Sequence, residues 1–178
     1  MLVPVRLLLA FKPQVAPALL VAIASSTVVF SATPFLLPAI AADRDISLSA
    51  VGWISTGQLG GFVLASFLAG RLLRPERHVF IIGAVLGVLS NLSSAVAPNL
   101  ALLTIARGIS GLSLGLAAWF GWQAAFGDNG RTGDVAVIGP LVGVVSAPAV
   151  SLLIHTAGVN WLFVVLAARA AHLTVVAT

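Results

Sequence analysis

Residues 100–126 read LALLTIARGISGLSLGLAAWFGWQAAF, an apolar stretch in which Arg107 is the one charged residue. An α-helix rises 1.5 Å per residue, so about 20 residues are enough to cross the hydrocarbon core of a bilayer. This stretch is longer than that. It therefore predicts a membrane-spanning helix that carries a positive charge and closely spaced glycines inside the membrane.

The rest of the chain has the same apolar character. Hydrophobic residues make up 60% of the 178 residues, charged residues make up 8%, and the mean hydropathy is +1.12. A soluble globule of this size would need far more charge to cover its surface, so we expect the lipid bilayer to be the solvent. The sequence predicts an all-α integral membrane protein with one transmembrane domain over residues 1–178. The six predicted spans are residues 15–41, 49–73, 79–97, 100–126, 135–157 and 160–178.

The basic residues predict how these spans are oriented. With the N-terminus inside, the cytoplasmic side collects six of them: Arg6, Lys12, Arg71, Arg74, Arg77 and Arg131. The predicted outside loops hold only Arg44, between Asp43 and Asp45. This asymmetry follows the positive-inside rule and predicts a multi-pass protein of the cell (inner or plasma) membrane with both termini cytoplasmic. The net charge of +4 is thereby accounted for without a nucleic-acid partner.

The aromatic and small residues fit the same picture. Trp53 and Trp161 are expected in an outer aromatic belt, and Trp119 and Trp122 in an inner one. Small residues recur every fourth position, which lets membrane helices approach closely. The pairs with this spacing include Gly57 and Gly61, Gly83 and Gly87, Gly111 and Gly115, and Gly139 and Gly143. Pro34 and Pro38, and Pro140 and Pro148, are expected to bend helices 1 and 5.

Arg107 is the strongest candidate for a functional residue. It lies about 10 Å from the predicted outer end of helix 4. A charge at such a depth costs at least ~2.5–3.5 kcal/mol and usually marks an ion or substrate pathway. The alternatives are that Arg107 snorkels to the outer surface or caps the carbonyls of a bent neighbouring helix. Arg169 is a second charge inside a predicted span, and no acidic residue lies in any of these spans.

The loop after helix 2 resembles a signature of the major facilitator superfamily of transporters. Gly70, Arg71 and Leu72 match the start of that family's basic loop between helices 2 and 3, and Arg74 and Arg77 supply basic residues. The aspartate of the family signature is missing here. The resemblance implies that this loop is a cytoplasmic gate.

Two helix motifs are similar to signatures of the same family. Arg107 to Gly111 matches the R-x-x-x-G pattern of helix 4, and Gly139, Pro140 and Gly143 match the G-P-x-x-G part of the helix 5 pattern. In that family the helix 5 motif is associated with exporters of the antiporter type. The resemblance covers the whole chain and implies alternating-access transport of a small molecule, with Arg107 as the transport or coupling residue. Candidates for lining the cavity are Gln58, Ser31 and Arg169.

The resemblance also implies that half of a transporter is present. Members of the family have twelve helices in two six-helix halves, each a 3+3 inverted repeat, with the substrate between the halves. These residues supply the N-terminal six helices. The expected partners are the bilayer, a small-molecule substrate, and a second half that is the protein's own C-terminal part, another copy of this chain or a different chain. A truncated reading frame, a fragment and a half-size subunit all fit.

Two other functions remain open at this level. Gly108 to Gly111 spells G-I-S-G, so Ser110 on helix 4 and His172 on helix 6 allow a rhomboid-like intramembrane serine protease. The long outer loop of rhomboids is missing, and that interpretation leaves Arg107 unexplained. The other possibility is a membrane bundle that does not transport. In the favoured interpretation the protein is not an enzyme. Because His155 and His172 have no acidic residues nearby, they predict no metal site, and no cofactor is expected.

Overall fold

The computed structural model describes residues 14–176, with side chains described as far as Leu173. Arg6 and Lys12, used above to predict orientation, lie outside these residues. The described part of the chain is a bundle of six α-helices joined by short connections, and it contains no strand. The helices are α1 Pro17–Arg44, α2 Leu48–Leu72, α3 Arg77–Ala95, α4 Leu100–Ala125, α5 Asn129–Ala157 and α6 Val159–Val176.

The number and order of the helices confirm the sequence prediction, but α5 begins earlier than expected. The polar stretch before residue 135 was expected to be a loop, and that expectation is wrong for most of it. The side chain of Asp128 accepts a hydrogen bond from the backbone nitrogen of Arg131 at 2.9 Å and so caps the start of α5. A side-chain oxygen at this position satisfies a free helix N–H, which lets polar residues start a helix.

A carboxylate of this early segment ties α5 to the start of α1. Asp134 Oδ2 accepts hydrogen bonds from the backbone nitrogens of Gln14, at 2.6 Å, and Val15, at 3.3 Å. These N–H groups precede a helix and have no helical partner of their own. Asp134 therefore supports the entry of the chain into α1.

Five of the helices, α1 to α5, are long and apolar enough to cross a membrane. The sixth, α6, is apolar over Val159–Leu173. The large side chains on the outside of the bundle are apolar too, with Trp53, Val63 and Val144 each more than half exposed. An apolar surface on a set of apolar helices is compatible with a multi-pass membrane protein.

The most extensive helix pair is α2 with α4, and its closeness depends on glycine. A Cβ atom on Gly61 would overlap the carbonyl oxygen of Gly108 across the interface, and one on Gly111 would overlap the carbonyl oxygen of Gln58. Gly115 is equally crowded by the backbone of α2. The predicted small-residue seam is therefore confirmed for this pair, where the backbones are in direct contact.

Helix α5 packs more loosely against its main neighbour, α1. A Cβ atom on Gly139 or Gly143 would meet Thr27 at 3.4 or 3.6 Å, which is ordinary van der Waals contact. Pro140 is exposed, and Val135 and Val150 are the buried residues of this helix. The expectation of close packing through these glycines is wrong, and most of α5 faces outward.

The core divides between the two ends of the bundle. The cluster near the α1–α2 connection includes Ile40, Val51 and Phe163, while the cluster near the α2–α3 connection includes Phe80 and Trp119. Trp119 is only 7% exposed and packs edge-to-face on Phe120, so its expected place in an aromatic belt is wrong. The other three tryptophans have exposed side chains.

Candidate functional site

Arg107 lies at the centre of the site, fully buried where α4 meets α2 and α3. Its Nε and Nη2 atoms donate hydrogen bonds to Gln58 Oε1 of α2, at 3.0 and 2.8 Å. Its Nη1 atom donates to Asn91 Oδ1 of α3 at 2.8 Å. The guanidinium also lies over the ring of Phe163 of α6, with Cζ 5.3 Å from the ring centroid. Four helices thus converge on one side chain.

Local structure explains how these partners are presented. Gln58 stands opposite Arg107 because Gly111, one turn along α4, lets the Gln58 backbone come into contact. Asn91 is held by its own helix, since its Nδ2 atom donates to the Gly87 carbonyl at 2.7 Å. That bond directs the Asn91 Oδ1 atom toward Arg107. Both amides are therefore oriented before they meet the charge.

The hydrogen-bond partners of Arg107 are electrically neutral. Both hydrogen-bond acceptors are amide oxygens, and no salt bridge to Arg107 is found in residues 14–176. The buried position shows that the side chain does not snorkel to a surface, as one alternative required. Burying an ionised group without a counter-charge is unfavourable, and hydrogen bonds from amide dipoles offset only part of that cost. Asn91 was not singled out from the sequence.

Gln58 carries a second unusual feature. Its Nε2 atom is buried and has no hydrogen-bond partner within the described chain. A buried donor in this state costs about 1–3 kcal/mol. The same residue lines a groove of about 310 Å³ between α1 and α2, together with Phe30, Thr33, Pro34, Ser55 and Leu59. Because proline has no N–H, the Phe30 carbonyl in this groove cannot receive its usual helical hydrogen bond from residue 34.

The other candidates for cavity lining lie apart from this groove. Arg169 is half-buried and lines a separate cavity among α1, α3, α4 and α6. Ser31 lines neither space; its hydroxyl lies 2.9 Å from that of Ser146, which joins α1 to α5. The structure therefore brings Gln58 together with Arg107, while Arg169 lines a different cavity, to which Asn91 also contributes.

The loop that resembles a gate is exposed throughout. Gly70 and Leu72 lie in the last turn of α2, Arg74 lies in the connection, and Arg77 is the first residue of α3. The guanidinium of Arg71 sits over the ring of Phe67, 4.2 Å from its centroid. All of these residues face outward, so the basic side chains are accessible at this end of the bundle.

Ser110 and His172, the two residues of the protease alternative, lie in different environments. Ser110 is 1% exposed inside the bundle, while the side chain of His172 lies on the surface of α6. No hydrogen bond links them. Within residues 14–176 there is also no cluster of three His, Asp or Glu side chains able to hold a metal ion.

Neither a protein-family model nor a curated protein matches the chain. The function of this chain is therefore inferred from the site itself and from the three short motifs.

Proposed function

We propose that this chain is one six-helix half of a secondary transporter, which moves a small molecule with an anionic group by alternating access. The observation that carries this proposal is Arg107, a charge buried at the meeting of four helices with only neutral partners. Membrane proteins retain such a costly group mainly where ions or substrates pass. A passive bundle would gain from an apolar residue of similar size at this position.

The pattern of helix contacts supports the inverted-repeat architecture. Exchanging α1 with α4, α2 with α5 and α3 with α6 converts the α2–α4 pair into the α1–α5 pair, and both are among the most extensive pairs. The same exchange leaves the α3–α6 pair on itself and converts α3–α4 into α1–α6, which are also in contact. A 3+3 repeat related by a two-fold axis in the membrane plane predicts these exchanges. The α5–α6 contact is the exception, because its counterpart, α2–α3, is missing among residues 14–176.

Gln58 is the proposed point of contact with the substrate. Its Oε1 atom accepts two hydrogen bonds from Arg107, which polarises the amide and strengthens its unpartnered Nε2 donor. Nε2 is buried in this structure, so a carboxylate or similar oxygen would accept from it, close to the positive charge, once the groove between α1 and α2 opens to this atom. Arg107 thereby acts indirectly, through the amide of a residue that lines the groove.

The basic loop and helix α5 also have roles in the proposed transporter. The exposed basic segment from Arg71 to Arg77 is the cytoplasmic gate, and the outward-facing side of α5 packs against the second half. The Gly139–Pro140 motif implies that the proposed transporter exports its substrate and is an antiporter. The orientation has both termini in the cytoplasm.

The first test is ligand binding to the purified protein. Small carboxylates are compared with their uncharged amide analogues by thermal unfolding in detergent. We expect a carboxylate to raise the melting temperature, its amide not to, and Gln58→Leu to weaken the carboxylate's affinity at least tenfold. The control is Gln123→Leu, an exposed glutamine of α4. Stabilisation that survives Gln58→Leu would show that the groove is not the binding site.

The second test measures transport by the protein that is produced from its native gene. Its mass decides what is reconstituted: a product larger than 18.1 kDa or a dimer of 18.1 kDa chains is the expected carrier. A bound carboxylate should then exchange across proteoliposomes. A monomer of 18.1 kDa that binds but shows no exchange would favour the non-transporting bundle. No observation favours the protease, because Ser110 and His172 are not in contact.

A further inference from the structure

A pocket between the helices of the bundle is distinct from the groove at Gln58. It measures about 40 Å³ and lies among α1, α3, α4 and α6. That volume holds a few water molecules or one small ion, since one water needs ~10–15 Å³ by this measure. The polar residues that line it are Ser25, Ser26, Asn91, Ser110, Ser113 and Arg169.

The charge around this cavity is positive and uncompensated. Arg169 lies about 15 Å along α6, near the middle of a bilayer core of about 30 Å. None of the residues that line the cavity is acidic, and Arg169 has no ion pair or side-chain hydrogen bond within residues 14–176. Asn91, which lines the cavity, also accepts a hydrogen bond from Arg107, so a second positive charge lies behind this side chain. Residues 14–176 therefore supply no counter-charge at this cavity.

Three of the lining hydroxyls have already used their hydrogens. Ser25 and Ser26 donate to carbonyls one turn back in α1, at 2.8 and 3.1 Å. Ser113 donates to the Gly83 carbonyl of α3 at 2.7 Å. These groups present lone pairs to the cavity, which makes them poor anion ligands.

Three other groups retain a hydrogen to donate. Asn91 uses one amide hydrogen for the Gly87 carbonyl and keeps the other. The hydroxyl of Ser110, 1% exposed, makes no hydrogen bond within the described chain. Arg169 contributes its guanidinium. Donors from α3, α4 and α6 thus surround one space of positive potential.

We propose that this cavity binds a small monovalent anion of halide size, with chloride as the expected occupant. Arg169 provides the charge, and Ser110 and Asn91 provide hydrogen bonds. A volume of about 40 Å³ is enough for one such ion. The anion neutralises a positive centre shared by α3, α4 and α6 and so stabilises the bundle. This inference stands whether or not the chain transports anything.

The experiment is a thermal unfolding series on the full chain in detergent, with chloride replaced by gluconate at constant ionic strength. A ligand that binds only the folded state stabilises it in proportion to the logarithm of its concentration. We expect saturable stabilisation by chloride and bromide that reaches about 5–10 °C at a hundredfold excess over Kd. Equal melting temperatures in chloride and gluconate would overturn the proposal and leave water as the occupant.

A matched pair of serine variants tests the site directly. Ser110→Ala and Ser113→Ala each remove one hydroxyl from α4 at the cavity, but only Ser110 retains a free donor. We expect Ser110→Ala to weaken halide affinity about tenfold and Ser113→Ala to leave it unchanged. Equal effects in both variants would contradict the assignment of donors.

A second pair tests the charge. Arg169→Gln should abolish the halide response, while Arg74→Gln in the exposed loop should keep it. Arg169→Lys, which retains the charge, serves if the glutamine variant does not fold, and it should keep a weakened response. A halide response that survives in Arg169→Gln would overturn the proposal. Crystals grown in bromide should show anomalous density in the cavity, and density confined to the surface would count against it.

Discussion

Arg107 keeps its charge inside the bundle by donating only to amide oxygens. The sequence predicts that this residue is unusual, because a lone charge in an apolar stretch is costly whatever surrounds it. Its partners are harder to predict. Asn91 lies in a run of small polar residues whose inward face depends on the rotation of α3, and no periodicity in the chain fixes that rotation.

Loss of Asn91 should destabilise the protein measurably. In Asn91→Ala the Nη1 atom of Arg107 loses its acceptor while remaining fully buried, and hydrogen bonds to charged groups contribute about 1.5–3 kcal/mol. We expect the free energy of unfolding in a denaturing detergent to fall by that amount. The control is Asn160→Ala, an exposed position in the first turn of α6, which should change stability by less than about 0.5 kcal/mol. Similar losses in both variants would show that the Arg107 contact is not special.

At the scale of helices, the sequence predicts six elements well because each is a long apolar run. It does not predict the start of α5, since the polar residues before it are typical of a loop until Asp128 is recognised as a cap. From the sequence alone, all of the glycine pairs are expected to pack equally closely. The structure separates them: those of α2 and α4 are in backbone contact, while Gly139 and Gly143 meet only a threonine side chain.

This difference predicts opposite outcomes for two glycine substitutions. Gly111→Ala places a Cβ atom on the backbone of Gln58, so α2 and α4 must move apart, at a cost of about 1–3 kcal/mol. Gly60→Ala, on the outer face of α2, meets no atom within 4 Å and should be neutral or slightly stabilising. Denaturing-detergent titrations of both variants provide the measurement. Equal stability of the two would contradict the close crossing of α2 and α4.

At the scale of the whole molecule, the connections form two sets at opposite ends of the bundle. The α1–α2 and α3–α4 connections are tied together, since Arg44 Nη2 donates to the Ala97 carbonyl at 2.9 Å. The α2–α3 connection carries Arg71, Arg74 and Arg77. Charge bias alone predicts which end is cytoplasmic. Helix packing is the same in either orientation, so the fold adds nothing to that prediction.

Because the chain has no cysteine, single cysteines report orientation without background. Ser49→Cys and Pro75→Cys place one exposed thiol at each end of the bundle. We expect a membrane-impermeant maleimide to label Ser49→Cys in intact cells, and Pro75→Cys only after permeabilisation. The reverse pattern would mean that the bundle is inverted and that the basic loop is not a cytoplasmic gate.

The buried indole of Trp119 gives the molecule an internal optical reporter. Its Nε1 atom has no partner within the described chain, and a Cβ atom on Gly70, where the basic loop begins, would lie 3.9 Å from it. With the other three tryptophans replaced by phenylalanine, the emission of Trp119 should be blue and insensitive to brominated acyl chains. If the loop opens during transport, water reaching Nε1 would shift that emission to the red. Any movement of this loop would then be visible in real time, without a label on the protein or on a ligand.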